Sequence, residues 1–174
     1  MKFFAGIVPP PDIYNKLLHI QQQHGDNRLE PHITLRPPVS PLNDEAWLNT
    51  ITEVAATIEP FNVMLPGTGN FGKRVLFISV DSPPLINLYD RLIPALRQFE
   101  EKDVNKEHEK FHPHLTLGRA WCGFTPEDFK NMKQMSEEYL TAGNVSFGAS
   151  HIRIYHKPDH HGRYQPYQDV LLGG

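Results

Sequence analysis

Two short segments of this sequence share one pattern: histidine, an apolar residue, threonine and a second apolar residue. The pattern occupies residues 32–35 and again residues 114–117, and each copy directly follows a proline. Because alternate side chains of a β-strand point to the same face, the histidine and threonine of each copy would share one face while the apolar pair faces the core. Two such strands side by side would bring together two imidazoles and two hydroxyl groups, which suit acid and base catalysis at a phosphate ester.

The four polar residues of this repeat, His32, Thr34, His114 and Thr116, are the candidate catalytic residues. A chain of this composition should contain on the order of 0.1 matches to the pattern by chance, so two matches with similar flanks are a strong signal. The alternative is that both segments are ordinary half-buried strands whose polar face meets water. Threonine is common in such strands but histidine is not, so we favour the catalytic interpretation.

An arginine follows each copy of the pattern and is a candidate substrate contact. Arg36 has the same parity as His32 and Thr34, so in an unbroken strand its guanidinium enters the same cleft. Arg119 has the opposite parity and reaches the site only if the strand bulges or ends there, and a surface position is the alternative. Gly118 holds the place in the second copy that Arg36 holds in the first.

Aromatic and histidine side chains elsewhere in the sequence could extend this site. Tyr155 could stack a nucleobase, and Phe71 and Tyr164 could do the same, although core packing is the alternative for each ring. His112 shares the parity of His114, but the proline between them disturbs a regular strand. We therefore expect His112 to have a rim or structural role.

A metal centre is the competing use of these histidines, since His32, His112 and His114 could together bind zinc and activate water. Neither copy of the pattern supplies a carboxylate or a second closely spaced ligand. Threonine is also a better hydrogen-bond donor to phosphate than a ligand to zinc. We therefore expect chemistry that needs no metal and no cofactor.

Hydrophobic spacing and turn residues predict alternating strands and helices around the two motifs. Besides the two motif strands, predicted strands cover residues 3–8, 61–65, 75–80, 145–147, 152–156 and 170–172. Predicted helices cover residues 13–24, 43–58, 83–102 and 125–140, with Pro94 expected to kink or break the third. The glycine-rich segment 67–72 lacks the ending of a phosphate-binding loop, so we expect it to connect a hairpin.

The order of these elements nearly repeats, and the two motifs lie almost half of the 174 residues apart. We expect one domain, residues 1–174, built from two similar lobes with the site between them. The formal net charge of -3 provides no broad basic surface for a long nucleic-acid duplex. The single Cys122 favours a reducing cytoplasm, and no run of the sequence has the length of a membrane span. The oligomeric state leaves no trace in the sequence.

The paired motif resembles that of the 2H phosphoesterases, which carry one His-x-Thr/Ser-x motif in each of two pseudo-symmetric lobes. The resemblance covers nearly the whole chain and includes the early strand and helix, the half-chain spacing and the late strand Ile152–Tyr155. The ending Tyr167–Gly173 is most similar to the YjcG-like phosphoesterases. The next nearest branch is the LigT-like RNA 2',3'-cyclic phosphodiesterases, also called 2'-5' RNA ligases.

This resemblance implies an α+β, bilobed fold with two antiparallel sheets flanked by helices and a central cleft. It implies a hydrolase that acts on a 2',3'-cyclic phosphate or a similar small nucleotide or RNA-end phosphodiester, with His32 as proton donor and His114 as proton acceptor. Thr34 and Thr116 would donate hydrogen bonds to the non-bridging phosphate oxygens. Two alternatives stay open: 2'-5' RNA ligation by the same residues, and a non-catalytic module that binds a nucleotide.

Overall fold

The computed structural model describes residues 1–24, 30–101, 111–158 and 162–173, and these ranges contain nine strands and four α-helices. The strands are β1 (Lys2–Ile7), β2 (Ile33–Val39), β3 (Phe61–Met64), β4 (Thr68–Phe71), β5 (Val75–Ser79), β6 (His114–Arg119), β7 (Ser146–Ala149), β8 (His151–Lys157) and β9 (Gln165–Leu171). The helices are α1 (Pro11–Gln22), α2 (Asp44–Ala56), α3 (Pro83–Leu96) and α4 (Pro126–Gly143).

Seven of these strands form one antiparallel sheet in the order β4-β5-β6-β2-β1-β8-β9, and β3 pairs with β7 in a second sheet. The two motif strands, β2 and β6, are neighbours at the centre of the large sheet. They are joined by one residue pair, Ile33 with Leu115, so the sheet consists of two halves that meet at the motifs. The predicted α+β class with antiparallel sheets is confirmed.

Two pairs of helices pack against the sheet. Helix α1 packs with α4 beside the β4-β5-β6 half, and α2 packs with α3 and against β9. Helix α1 buries Ile13, Leu17 and Ile20, which recur at helical spacing. The buried amide of Gln21 donates a 3.0 Å hydrogen bond to the carbonyl of Thr116, which ties α1 to the second motif strand. No helix in the described ranges has the length and apolar character needed to cross a membrane.

The predicted starts of the second and fourth helices are confirmed by their capping residues. Asn43 precedes α2, and its side chain accepts a 3.0 Å hydrogen bond from the backbone N–H of Ala46. Thr125 precedes α4, where its hydroxyl and the side chain of Asp128 each bond the other's backbone N–H in a capping box. These side chains satisfy donors that the first helical turn leaves without partners.

The third helix and the glycine-rich segment differ from their predictions. Helix α3 continues through Pro94 but ends at Leu96 and passes into a 3-10 turn, and residues 102–110 lie outside the described part of the chain. Residues 68–71 form a strand that pairs with β5, with the hairpin turn around Gly72 at a φ of 55°. The strand that begins at residue 61 pairs with β7 instead. Strand β9 begins at Gln165, five residues early, and accommodates Pro166 because it is an edge strand.

Candidate active site

Both motif histidines are held by the same kind of backbone contact. The Nδ1 of His32 lies 2.7 Å from the carbonyl oxygen of Glu30, and the Nδ1 of His114 lies 2.7 Å from the carbonyl oxygen of His112. A carbonyl oxygen can only accept, so the Nδ1 of each ring carries a hydrogen and donates it. The reactive nitrogen is therefore Nε2 in both rings, a base when the ring is neutral and a donor when it is charged.

The two motif threonines share a face with the histidines. The residue pair that joins β2 to β6 is fully buried, so the residues on either side of it face away from the core. Around that pair, the antiparallel register sets His32 beside Thr116 and Thr34 beside His114. Neither threonine hydroxyl has a hydrogen-bond partner among the described residues. The structure thus brings the four candidate catalytic residues together with both hydroxyls available to a phosphate.

Each motif strand contains a β-bulge directly after its threonine. Two consecutive residues of β1 pair with Thr34 and Arg36 of β2, so β2 has one extra residue at this point. In the same way, two consecutive residues of β5 pair with Thr116 and Gly118 of β6. One extra residue reverses the face to which the next side chains point, until a second irregularity such as the one between Arg36 and Val39. Arg36 therefore faces the core and Arg119 faces the site, which is the reverse of what an unbroken strand predicts.

The prediction that Arg36 contacts the substrate is wrong, because the bulge turns this side chain into the interior. Arg36 is 5% exposed and forms a two-pronged ion pair with Glu100, in which Nε donates to Oε1 at 2.9 Å and Nη2 donates to Oε2. The indole N–H of Trp47 donates to the same Oε1 at 3.0 Å. Arg36 thus attaches the first motif strand to α2 and to the segment after α3.

Arg119 meets the condition for reaching the site, because β6 bulges before it. Its charge acts on both motif histidines: burial lowers the pKa of His32 and of His114, and the positive charge of Arg119 lowers each pKa further. The guanidinium carbon lies 5.8 Å from the centre of the Trp121 ring. Among the described residues, Arg119 has no carboxylate partner, so its charge can act on a bound anion.

Glu30 is a site residue that the sequence did not reveal to us. Its carbonyl holds His32, and its carboxylate accepts hydrogen bonds from three side chains: Tyr14 at 3.1 Å, Arg153 at 3.2 Å, and the hydroxyl of Tyr155. A signal was present, since Glu30 stands two residues before His32 as His112 stands two residues before His114. Three donors on one carboxylate fix the chain that orients the first imidazole.

Tyr155 is not a surface for a nucleobase, contrary to the prediction. The side chain is 1% exposed, and its ring stacks on Phe4 with the ring centres 4.2 Å apart and the planes 6° from parallel. Burial and the neighbouring Glu30 raise the pKa of its hydroxyl, which stays a hydrogen-bond donor. Tyr164 also packs on Phe4, edge to face at 4.9 Å. Both rings support the wall beside His32.

The second histidine lies among aromatic rings, with the charge of Arg119 nearby. The ring of His114 lies 5.0 Å from that of Phe71 and 5.2 Å from that of Phe77, and the exposed His112 ring lies 5.6 Å from each. Phe71 is 43% exposed, so of the three predicted stacking residues it offers the most accessible ring beside a motif histidine, whereas Tyr164 is half-buried and Tyr155 is buried. His112 contributes its carbonyl to the site and its ring to the rim.

The two imidazoles therefore differ in the charges around them. Burial lowers both pKa values. The backbone bond and the carboxylate of Glu30 both act to raise the pKa of His32. For His114 the backbone bond to His112 raises the pKa, but the nearby imidazole of His112 lowers it. Among the described residues, His32 has a carboxylate beside it to stabilise its charged form and His114 does not.

No group of three or more histidine, cysteine, aspartate or glutamate side chains in the described ranges is arranged to hold a metal ion. The expectation of metal-independent chemistry stays a prediction.

Residues 9–159 match the sequence profile of the 2'-5' RNA ligase superfamily, and this range contains both motifs. The chain belongs to the 2'-5' RNA ligase superfamily. A curated member of similar sequence is the RNA 2',3'-cyclic phosphodiesterase of Bacillus subtilis (strain 168), which is 25% identical over 144 residues, or 70% of this chain and 72% of the relative. The superfamily and the relative both bear names of enzymes that act on phosphoric ester bonds, as predicted.

Solved structures share the fold of this superfamily member over nearly their full lengths. The TT0787 protein of Thermus thermophilus superposes with a TM-score of 0.72 at 16% identity, covering 100% of this chain and 99% of that one. Escherichia coli LigT in its apo form gives 0.64 at 20% identity, covering 98% and 96%. The predicted 2H phosphoesterase fold is confirmed in its LigT-like form, whereas the YjcG-like branch is not confirmed.

Proposed function

We propose that this protein is a metal-independent phosphodiesterase that opens a 2',3'-cyclic phosphate, or a similar nucleotide or RNA-end phosphodiester, by two-histidine acid and base catalysis. The observation that carries the proposal is the pair of imidazoles on adjacent strands, each anchored through Nδ1 to a carbonyl two residues earlier. Each ring then presents Nε2 to the same face, and a threonine hydroxyl stands beside each ring.

Opening a cyclic phosphate requires water to attack phosphorus opposite the leaving oxygen. One proton must leave the water, and another must reach the departing alkoxide. In our proposal the neutral Nε2 of His114 accepts the proton from water, and the charged Nε2–H of His32 donates to the leaving oxygen. Thr34 and Thr116 donate to the non-bridging oxygens, where negative charge accumulates, and Arg119 adds a positive charge nearby.

The assignment of His32 as the acid is supported by its surroundings. Glu30 stabilises the charged form of this ring, whereas His114 has a second imidazole beside it that opposes a positive charge. When the anionic substrate binds, it favours protonation of the site as a whole. In our proposal the added proton resides on His32, where the carboxylate of Glu30 and the substrate anion together oppose the effect of burial, which lowers the pKa of this ring.

The substrate class is supported by similar proteins. The Bacillus subtilis relative is named RNA 2',3'-cyclic phosphodiesterase, and Escherichia coli LigT, at 19% identity and a TM-score of 0.63, was solved in complex with 3'-AMP. A 3'-phosphate is one product of opening a 2',3'-cyclic phosphate. The exposed ring of Phe71 beside His114 could stack the base of such a nucleotide.

The test is hydrolysis of the four nucleoside 2',3'-cyclic phosphates by the purified protein, with and without EDTA. We expect turnover that EDTA leaves unchanged and that His32→Ala or His114→Ala lowers by about 100-fold to 10,000-fold. Activity that EDTA abolishes and zinc restores would contradict the metal-independent mechanism. Full activity in either histidine variant would contradict the roles of the histidines, and tight nucleotide binding without turnover would instead favour a binding module.

A further inference from the structure

One end of the β4-β5-β6 half presents basic and aromatic side chains that the proposed chemistry does not use. Lys73 and Arg74 are exposed in the β4-β5 turn, and neither side chain has an acidic partner in the described parts of the chain. Trp121 follows β6 and is 65% exposed, although it is the largest kind of apolar side chain. In a protein of net charge -3, this concentration of unpaired positive charge is a local feature.

Backbone contacts connect this end of the sheet to the catalytic face. Phe71, whose ring touches His114, begins the turn, and its carbonyl accepts a 3.2 Å hydrogen bond from the N–H of Arg74. The carbonyl of Arg74 in turn accepts a 2.8 Å hydrogen bond from the N–H of Ala120, the residue between Arg119 and Trp121. The turn, the end of β6 and the tryptophan therefore lie next to one another along the backbone, beginning at the residue whose ring contacts the second motif histidine.

Arg119 lies between the site and the tryptophan. Its backbone follows the bulge that turns its side chain toward the motif face, and its guanidinium lies 5.8 Å from the centre of the Trp121 ring. A cation at this distance from an aromatic face is attracted to it. Trp121 thus adjoins Arg119 and still leaves most of its surface open to solvent.

We propose that Lys73, Arg74 and Trp121 form a second nucleotide subsite, which binds the RNA strand upstream of the reacting terminal phosphate. This inference rests on the proposed function and identifies its substrate as a single-stranded RNA end rather than a mononucleotide. A surface in which cations alternate with exposed aromatic rings suits single strands, because the cations meet the phosphates and the rings stack the bases. Phe71 would take the terminal base and Trp121 a base further along the strand.

The kinetic test compares two substrates that share the reacting group: a mononucleotide 2',3'-cyclic phosphate and a tetranucleotide ending in the same cyclic phosphate. We expect Trp121→Ala to lower kcat/KM for the tetranucleotide about tenfold more than for the mononucleotide, because one stacked base is lost. Trp121→Phe should retain most of the difference. In a plot of log KM for the tetranucleotide against the logarithm of salt concentration, Lys73→Ala/Arg74→Ala should reduce the slope by about 1.4, because two phosphate contacts are removed.

Matched controls lie elsewhere on the surface. Tyr167→Ala removes an exposed aromatic ring from β9, and Lys130→Ala/Lys133→Ala removes two cations from α4. These variants should treat both substrates as the unaltered protein does. Equal losses on both substrates in Trp121→Ala, or no loss on either, would overturn the subsite while leaving the proposed function intact.

Fluorescence gives a readout that needs no turnover. The chain has two tryptophans, of which Trp47 is fully buried and Trp121 is exposed, so red-shifted emission reports Trp121. We expect a single-stranded tetranucleotide with a 3'-phosphate to quench this emission and 3'-AMP to leave it nearly unchanged. Equal quenching by an acidic peptide would mean that the surface binds anions in general. The absence of quenching by RNA would reject the subsite, whether or not the protein cleaves either cyclic phosphate.

Discussion

The two motif strands present the same chemistry on different supports. Each has an imidazole anchored to a carbonyl two residues earlier, a threonine and a bulge after that threonine. Beside the first, Phe4 and Tyr155 flank the histidine, and side chains from distant parts of the chain hold Glu30 and Arg36 in place with hydrogen bonds and ion pairs. Beside the second, Phe71 and Phe77 flank the histidine, and the position equivalent to Arg36 is Gly118, against which three apolar side chains pack.

This difference indicates that the two halves of the sheet support their histidines in different ways. The first half fixes its histidine with ion pairs and hydrogen bonds and supplies a carboxylate that stabilises a protonated ring. The second half leaves its histidine among aromatic rings, one of them exposed, and turns Arg119 toward the site. In the proposed mechanism, the first half holds the proton that is donated, and the second half contacts the substrate.

The largest expected effect distinguishes the acid histidine from the base histidine by comparing two substrates with different leaving groups. His32→Gln should lower kcat on a 2',3'-cyclic phosphate by about 100-fold to 10,000-fold, but by far less on a nitrophenyl phosphodiester, whose leaving group needs no proton. His114→Gln should lose activity on both substrates, because water must still be deprotonated. Steady-state kinetics on the two esters measures this contrast. The reverse pattern would exchange the roles of the two histidines.

The next effect concerns stability and compares the equivalent positions Arg36 and Gly118. Glu100→Ala should lower the free energy of unfolding by about 3 to 5 kcal/mol, because it leaves the buried Arg36 guanidinium without its partner. Gly118→Ala should cost about 1 to 3 kcal/mol, since a β-carbon there would lie 3.0 Å from Cε of Met132 and must displace it. Urea unfolding measured by circular dichroism provides both values.

Asp169→Ala is the control for the buried ion pair. Asp169 pairs with Arg153 through two bonds of 2.7 and 2.8 Å, but it lies at the surface. Its removal should cost about 1 kcal/mol or less. If Glu100→Ala is no more destabilising than this control, the ion pair does not secure the first motif strand.

The sequence predicted which side chains share the motif face better than it predicted the surroundings of that face. Periodicity was sufficient to place His32, Thr34, His114 and Thr116 together, because the pattern lies within four residues of each strand. The bulge of the first motif strand was not predictable, since no glycine stands beside Leu35, whereas Gly118 beside the second bulge was a signal that we did not use. For that reason Arg36 was assigned to the wrong face. Its partner Glu100 stands 64 positions away, and only tertiary packing reveals such a pair.

A smaller effect is expected from Glu30→Gln, which keeps the carbonyl that anchors His32 but removes the neighbouring negative charge. The charged ring of His32 loses that stabilisation, so its pKa should fall, and kcat should drop about threefold to tenfold. Nitrogen NMR of the imidazole should show that Nδ1 of neutral His32 still carries a hydrogen and that the pKa of the ring is lower. Asp169→Asn, which changes the other carboxylate of Arg153, should leave the pKa of His32 in place. If the ring of His32 changes tautomer in Glu30→Gln, the carboxylate acts by fixing the orientation of the ring and not by stabilising its positive charge.

The smallest expected effect is the pH dependence, in which the two halves of the sheet act in opposite directions. Burial and Arg119 lower the pKa values of both histidines from 6.5, so the state with one ring neutral and one charged is most populated below pH 6.5 in the free enzyme. The profile of kcat/KM should therefore be a bell with its maximum below pH 6.5: activity falls at lower pH as His114 gains a proton and at higher pH as His32 loses one.

Arg119→Gln removes a positive charge that acts on both rings, so both limbs should move to higher pH. Glu30→Gln should move only the alkaline limb, to lower pH, because its carboxylate acts on His32. If both variants move both limbs equally, the two histidines titrate as one coupled pair and the division between the halves does not hold.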